Sequence, residues 1–147
     1  MIVSPIKGEV IQLKEVNDSL FSNGIMGEGI AILPASDEVY APIDGTVSIL
    51  YKTKHAIGIT AKNGVEILIH IGIDTVCLDG KYFETHVQEK ENITKGQTLI
   101  TFDHKQLKEE GFDTSVIMVI TSSKGKMVYV TDEVGYLSKK EPLIRIG

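Results

Sequence analysis

Short runs of β-branched and aromatic residues, punctuated by glycines and prolines, recur along the whole chain. Such runs predict strands, because β-branched side chains pack well on a pleated surface while glycine and proline interrupt it. The predicted strands cover residues 8–13, 45–51, 98–102, 116–120, 127–130 and 143–146. Many short strands separated by turns are typical of an all-β fold, an antiparallel sandwich or barrel.

Helix is expected only at the periphery of this fold, in one or two short segments. Residues 105–110 are the clearest candidate, because Asp103 can cap a helix N-terminus and Gly111 can end the helix. We therefore expect helices to contribute little to the core.

Two further predicted strands, residues 51–60 and 65–74, flank Asn63-Gly64, the strongest short signal for a β-hairpin. A two-residue loop would place His55 one diagonal step from His70, and a four-residue loop would place the two histidines opposite each other. In both registers the imidazoles share one face of the sheet, with Cβ atoms about 4.5 to 8 Å apart. A three-residue loop or a bulge would separate them, because a slip of one residue moves a whole strand to the other face.

Alternation along the second of these strands assigns its two faces. Every second residue is an isoleucine: Ile67, Ile69, Ile71 and Ile73. This ladder is assigned to the core, so His70 lies on the opposite face. On the partner strand Ile57 and Ile59 share the side of His55, and we therefore expect the surface around the histidines to be partly apolar.

The two histidines are interpreted as a functional pair. Two adjacent imidazoles would repel each other if both were protonated, which favours a chemical role over a structural one. His86 and His104 have no such partner in the sequence and are interpreted as hydrogen-bonded structural residues.

Composition limits the remaining classes of function. The 147 residues, 42% of them hydrophobic, suit one domain spanning residues 1–147. A formal charge of −5, without a basic cluster interleaved with aromatics, argues against a nucleic-acid partner. No apolar run approaches the length of about 18 residues that spans a bilayer, so we expect a soluble, cytoplasmic protein. The single cysteine, Cys77, cannot form an internal disulfide.

Several motifs resemble one known family. They are Thr53-Lys54-His55-Ala56-Ile57, Leu68-Ile69-His70-Ile71-Gly72-Ile73-Asp74-Thr75-Val76, Ser4-Pro5-Ile6-Lys7-Gly8, the stretch 21–32, Ala41-Pro42-Ile43-Asp44-Gly45 and Pro142-Leu143-Ile144-Arg145-Ile146. In this order they resemble the glucose-type enzyme IIA, the phosphocarrier of the bacterial sugar phosphotransferase system, over essentially the entire chain. The resemblance implies an antiparallel β-sandwich described as a duplicated hybrid motif. Pro5-Ile6-Lys7-Gly8 and Pro42-Ile43-Asp44-Gly45 echo each other, as two related half-units would.

The resemblance also implies a function and the residues that perform it. His70 would accept a phosphoryl group at Nε2 from the phosphohistidine of HPr and pass it to the cysteine of a IIB domain of a membrane sugar permease. His55 would hydrogen-bond the phosphoryl group, and Thr53 would support the site. No cofactor is implied beyond the phosphoryl group itself, held covalently on His70 as an intermediate.

A docking surface for these partners is expected around the histidines. The resemblance assigns Phe21, Ile25, Met26 and Val76 to it and places Asp74 at its rim. Strand parity adds Tyr51 and Leu68, which share the side of the histidines.

The chemistry itself sets one further expectation. A histidine attacks phosphorus as the neutral imidazole, so its second ring nitrogen must carry the proton and donate it to a fixed acceptor. We expect a backbone carbonyl near Gly72 to be that acceptor.

Two other functions stay open at this point. His55, His70 and Asp74 could supply three ligands of a zinc hydrolase, although the His-x-His element of related metallopeptidases is missing. The chain could instead be a regulatory module whose binding of target proteins depends on phosphorylation of His70. Sugar specificity is not encoded in such a domain, and the sequence does not distinguish a stand-alone protein from a domain of a fused permease.

Overall fold

The computed structural model describes residues 1–136 and 141–147, and within them most regular structure is β. The strands are β1 Ile2–Val3, β2 Gly8–Gln12, β3 Glu28–Pro34, β4 Glu38–Tyr40, β5 Gly45–Leu50, β6 Ala56–Ala61, β7 Glu66–Ile71, β8 Phe83–Thr85, β9 Asn92–Ile93, β10 Thr98–Phe102, β11 Val116–Ser122, β12 Val128–Val130 and β13 Pro142–Ile146. The α-helices are α1 Ser19–Ser22 and α2 His104–Glu109, and two 3₁₀ turns cover Leu13–Glu15 and Thr75–Leu78. The predicted all-β class with short helices is confirmed.

The described strands form three antiparallel sheets. The largest has the order β2-β3-β11-β7-β6-β5-β9, and the smaller ones are β4-β10-β8 and β1-β13-β12. One face of the large sheet packs into the main hydrophobic core, where Ile57, Ile59, Ile67, Ile69 and Ile71 are almost completely buried. The opposite face carries a second, smaller apolar cluster that includes side chains of the segment between β2 and β3.

The β6–β7 hairpin has a register that differs from both predicted ones. Ala61 N donates to Val65 O at 2.8 Å, which leaves a three-residue loop, and Gly64 closes it with φ +88°. This is the loop length associated with a type I turn and a left-handed closing residue. Ala56, instead of His55, therefore pairs with His70. The prediction that Ile57 and Ile59 share the histidine face is wrong, because this register turns both into the main core.

The isoleucine ladder is shorter than predicted. β7 ends at Ile71, and Gly72 then adopts φ +76°, which takes the chain out of the sheet. Ile73 is buried as expected, but in the smaller cluster together with Leu68 and Phe21 instead of in the main core. The turn after Ile71 thus sends the following loop to the histidine side of the sheet.

The sequence echo between the two Pro-Ile-x-Gly motifs corresponds to a structural duplication. Each motif leads into an equivalent strand, β2 or β5, and the two motifs bond to each other reciprocally. Tyr40 N donates to Pro5 O at 2.7 Å and Val3 N donates to Pro42 O at 3.1 Å. In both bonds the donor lies two residues before the proline of its own motif. The large sheet repeats this relation, because β2-β3-β11 and β5-β6-β7 meet at the central β11–β7 pair.

The helices account for the remaining differences from expectation. α2 is present one residue earlier than predicted, with the Asp103 side chain accepting from Gln106 N as its N-cap. α1 was not predicted, because the glycines of residues 21–27 indicate a loop. In the part of the chain that the structure describes, no helix has the length and apolar character that crossing a bilayer requires.

Burial distinguishes two leucines on these short helices. Leu107 of α2 is completely buried in the main core, whereas Leu20 of α1 is largely exposed. We expect Leu107→Ala to lower the free energy of unfolding by about 2 to 5 kcal/mol, because it leaves a cavity. Leu20→Ala should change it by about 0.5 kcal/mol or less. Urea denaturation of the two variants tests this, and equal losses would contradict the assigned packing of α2.

Candidate functional site

A turn before β6 brings the two histidines together in spite of the register. His55 precedes the strand, and its carbonyl oxygen accepts a hydrogen bond from Ile71 N at 2.7 Å. Lys54 has φ +62°, so the chain changes direction immediately before His55. The rings of His55 and His70 lie with centroids 4.8 Å apart and planes at 83°. The juxtaposition predicted from the hairpin is therefore present, but a turn produces it and not strand parity.

The proton on His70 is located by a backbone acceptor. Nδ1 of His70 lies 2.8 Å from Gly72 O, and because a carbonyl oxygen can only accept, Nδ1 must carry the proton. The neutral ring then has its lone pair on Nε2. This is the acceptor expected from the sequence, and it fixes both the tautomer and the ring orientation.

The Gly72 carbonyl is itself held in place. Gly72 N donates to Ser115 O at 2.8 Å, and the hydroxyl of Thr75 donates to Ile71 O at 2.5 Å. A Cβ at position 72 would lie 2.5 Å from Thr75 Cγ2, and the positive φ also disfavours a side chain. Glycine is therefore required at this position.

His55 is held by a side chain instead of a backbone group. Its ring is buried, with only 4% of the residue exposed, and Nδ1 lies 2.7 Å from Thr53 Oγ1. A hydroxyl can donate to this nitrogen or accept from it, so the contact allows either tautomer of the His55 ring. Thr53, to which the resemblance gives a supporting role, thus contacts one ring of the pair.

Both imidazoles favour the neutral form. Burial lowers the pKa of His55 to about 4, and repulsion from His70 acts in the same direction. Burial also lowers the pKa of His70, against the opposing effects of the Gly72 hydrogen bond and of Asp18 and Asp74. At neutral pH the site therefore holds two uncharged rings.

Aromatic and aliphatic side chains surround the pair. The Phe21 ring lies 5.1 Å from the His70 ring and the Tyr51 ring lies 5.6 Å from the His55 ring, centroid to centroid. On the adjacent strands the residues paired with His70 are Ala56 and Ile117, both buried in the smaller cluster. These apolar neighbours are the source of the desolvation that lowers the two pKa values.

The predicted docking residues divide into two groups. Ile25 and Val76 are 68% and 53% exposed, and Met26 and Tyr51 are also at the surface. Phe21 and Leu68 are not surface residues, since only 5% and 8% of them is exposed. Their assignment to a contact surface is corrected: they form the apolar floor beneath the histidines, because α1 folds Phe21 against the sheet. Exposed apolar residues beside a polar pair are features of a protein contact site.

Two carboxylates lie close enough to His70 to affect its pKa. Asp74, predicted at the rim, has φ +62° at the turn after β7, and Asp18 is the N-cap of α1, accepting from Leu20 N at 2.9 Å. The sequence pattern alone does not identify Asp18 as a neighbour of His70. Its signal was an Asp-Ser pair ahead of an apolar residue, which is typical of a helix start, but a helix of four residues is too short to recognise.

The histidines outside the pair have the structural contacts predicted for them. His86 Nε2 lies 2.9 Å from Thr101 Oγ1, and the His104 ring contacts the Asp37 carboxylate. Within residues 1–136 and 141–147, no three His, Cys, Asp or Glu side chains form a group that could hold a metal. Cys77 is a free, exposed thiol. The zinc-hydrolase alternative therefore has no support.

The chain is similar to known proteins of one family. The family model for the phosphoenolpyruvate-dependent sugar phosphotransferase system, EIIA 1, matches residues 1–126. The chain is 44% identical over 147 residues to a PTS system beta-glucoside-specific EIIBCA component of Bacillus subtilis (strain 168), covering 100% of this chain and 24% of that protein. It is 45% identical over 122 residues to a PTS system glucose-specific EIIA component of Bacillus cereus, covering 83% of this chain and 74% of that one.

The solved structure of glucose permease IIA from Mycoplasma capricolum has the same fold. The two superpose with a TM-score of 0.89 at 35% sequence identity, covering 97% of this chain and 92% of that one. The chain spans about a quarter of the length of the Bacillus subtilis relative. On the match of the family model and the coverage of the Bacillus cereus relative, the chain belongs to the EIIA 1 family of the phosphoenolpyruvate-dependent sugar phosphotransferase system.

Proposed function

We propose that this domain is a phosphocarrier in which His70 receives a phosphoryl group from phospho-HPr and delivers it to the cysteine of a IIB domain. The observation that supports this most directly is the hydrogen bond from His70 Nδ1 to Gly72 O, at 2.8 Å. It leaves the Nε2 lone pair as the one nucleophile of a neutral, oriented ring. Family membership supports the same role.

Two phosphoryl transfers make up the cycle. In the first, His70 Nε2 attacks phosphorus, a new N–P bond forms, and the N–P bond to the donor histidine breaks, which returns the electron pair to that ring. In the second, a thiolate attacks phosphorus, an S–P bond forms, and His70 leaves as the neutral imidazole. The proton stays on Nδ1 throughout, and Nδ1 continues to donate its hydrogen bond to Gly72 O.

His55 supplies the charge stabilisation that the transferred group needs. Charge on the equatorial phosphoryl oxygens must be met by positioned donors. Of the two tautomers that the contact with Thr53 allows, this role requires the one in which the Thr53 hydroxyl donates to His55 Nδ1, so that the proton lies on His55 Nε2 and is donated to a phosphoryl oxygen. The His55 ring is 4.8 Å from His70, centroid to centroid, and it needs no net charge to act in this way.

The surroundings suit two transient partners in succession. The exposed side chains Ile25, Met26, Tyr51 and Val76 provide modest apolar area at the surface. Contacts of small area and rapid release are typical of such encounters. The name of the Bacillus subtilis relative, an EIIBCA component, supports a IIB partner, because it joins B and A components in one protein. Regulation of target proteins through phosphorylation of His70 stays a prediction.

His70→Gln should take no label from phosphoenolpyruvate, enzyme I and HPr, because glutamine lacks the nucleophile. His55→Gln should accept label but pass it to a IIB domain about 100-fold more slowly, the usual cost of losing one positioned donor to a developing charge, because the glutamine amide N–H does not lie where the imidazole N–H does. Acid-labile phosphate on the protein is the readout. His86→Gln, which alters an exposed histidine outside the pair, is the matched control and should behave as the wild type. Label on His70→Gln would contradict the assignment.

The Thr53 hydroxyl should matter through the tautomer of His55. Thr53→Val keeps the shape of the side chain and removes the donor, and we expect onward transfer to slow by about threefold to tenfold, the value of one hydrogen bond. Thr53→Ser should restore most of the rate. Rapid-quench measurement of transfer to a IIB domain tests both variants, and equal rates for valine and serine would exclude a role for the hydroxyl.

The lowered histidine pKa values predict a pH dependence of stability. As pH falls below about 6.5, the unfolded chain protonates these histidines before the folded chain does, so the folded state loses stability. For His55 this loss continues down to its folded pKa of about 4. We expect the free energy of unfolding to fall less steeply between pH 7 and 4.5 in His55→Gln than in the wild type. The free energy of unfolding at each pH is measured by urea denaturation. Equal slopes of this free energy against pH in the two proteins would argue that the His55 ring is not buried in its neutral form.

A further inference from the structure

Lys54 adopts a backbone conformation that lysine rarely accepts. Its φ is +62°, in the left-handed region where glycine and asparagine are favoured. Its amide nitrogen donates to Tyr51 O at 2.8 Å, which closes the turn that ends at His55. Residues held in such conformations by their surroundings concentrate at functional sites. Glycine would be less strained at this position, so the strain of Lys54 calls for a compensating role of its side chain.

The side chain of Lys54 provides an answer, because it crosses to the opposite loop of the site. A Cβ on Gly80 would lie 3.5 Å from Lys54 Cδ, 3.7 Å from Cε and 3.8 Å from Cγ, so the aliphatic stem passes the side of this glycine from which a side chain would project. The stem is half-buried, as expected for a lysine that packs its methylenes. Gly80 follows the 3₁₀ turn Thr75–Leu78, which carries the exposed Val76.

The two segments that the Lys54 side chain brings close together both contain residues of the histidine site. On one side, Thr53 and His55 are the immediate neighbours of Lys54 and contact each other at 2.7 Å. On the other side, the loop that contains Gly80 begins at Gly72, the acceptor for His70 Nδ1. The backbone already joins the two segments at one point, where His55 O accepts from Ile71 N. The lysine stem brings the two segments close together at a second point.

We propose that Lys54 is a positioning residue: its aliphatic stem, which passes over Gly80, limits the movement of the loop that carries His55 relative to the loop that follows the other histidine. This inference rests on the proposed phosphocarrier function for its kinetic consequence, but not for its structural one. The positioning effect comes from the aliphatic stem and not from the charged amine. The positive φ of Lys54 is tolerated because it directs the stem towards the opposite loop. Lys54 does not contact the transferring group in this account.

Three variants separate the stem, the charge and the backbone. Lys54→Gly relieves the positive φ and removes the stem, and it should slow transfer to a IIB domain about tenfold or more, since a displacement of about 1 Å at a reacting centre can cost about 100-fold. Lys54→Met keeps the stem without the charge and should restore most of the rate. Lys90→Gly relieves the same type of strain at an exposed lysine with φ +71° and is the matched control.

A second readout is independent of phosphoryl transfer. In Lys54→Gly a released loop should expose the His55 ring, and its pKa, followed by NMR, should rise from about 4 towards the ordinary value of about 6.5. It should stay low in Lys54→Met and Lys90→Gly. A wild-type pKa and rate in Lys54→Gly would overturn the proposal, and a Lys54→Met variant as impaired as Lys54→Gly would assign the effect to the charge. If the wild type itself transfers no phosphate, the phosphocarrier function fails, while the pKa comparison still tests Lys54.

Discussion

The hydrogen bond from His70 Nδ1 to Gly72 O is the interaction on which the rest of the site depends. It decides which ring nitrogen is the nucleophile, and it holds only if the peptide after β7 leaves the sheet at one defined place. That requirement explains the positive φ of Gly72 and the hydrogen bond that Gly72 N donates to Ser115 O. It also explains the hydrogen bond that the buried Thr75 hydroxyl donates to Ile71 O. The same short stretch of backbone therefore ends β7 and fixes the tautomer of His70.

The segment between β2 and β3 limits where the histidine site lies on the large sheet. The outer face of β3 and β11 is covered by the segment between β2 and β3, whose Val16 and Phe21 pack on Ala31 and Val119 in the smaller cluster. Beyond the edge of that cover, over β6 and β7, the same face carries the histidines. The cover also serves the chemistry, because Phe21 is the ring packed against His70 and helps to desolvate it. The segment between β2 and β3 therefore completes the smaller cluster and also forms one boundary of the histidine site.

The fold class and the juxtaposition of the two histidines were accessible from the sequence, whereas the geometry that brings the histidines together was not. β-Branched runs and turn residues are local signals, so most strands and the capped α2 were predicted. The hairpin register depended on whether Asn63-Gly64 closes a loop of two, three or four residues, which tertiary pairing decides. Both predicted registers were wrong, yet the histidines still meet, because the left-handed turn at Lys54 compensates for the shift. Burial of Phe21 and the proximity of Asp18 depended on α1, a helix too short to carry a signal.

The most direct test of this account is the identity of the phosphorylated atom. Protein labelled with ¹⁵N in its histidine rings can be phosphorylated and examined for coupling between phosphorus and nitrogen by NMR. The account predicts coupling to Nε2 of His70, with a proton retained on Nδ1 before and after transfer. Coupling to Nδ1 of His70, or to a nitrogen of another histidine, would contradict the role assigned to the Gly72 carbonyl.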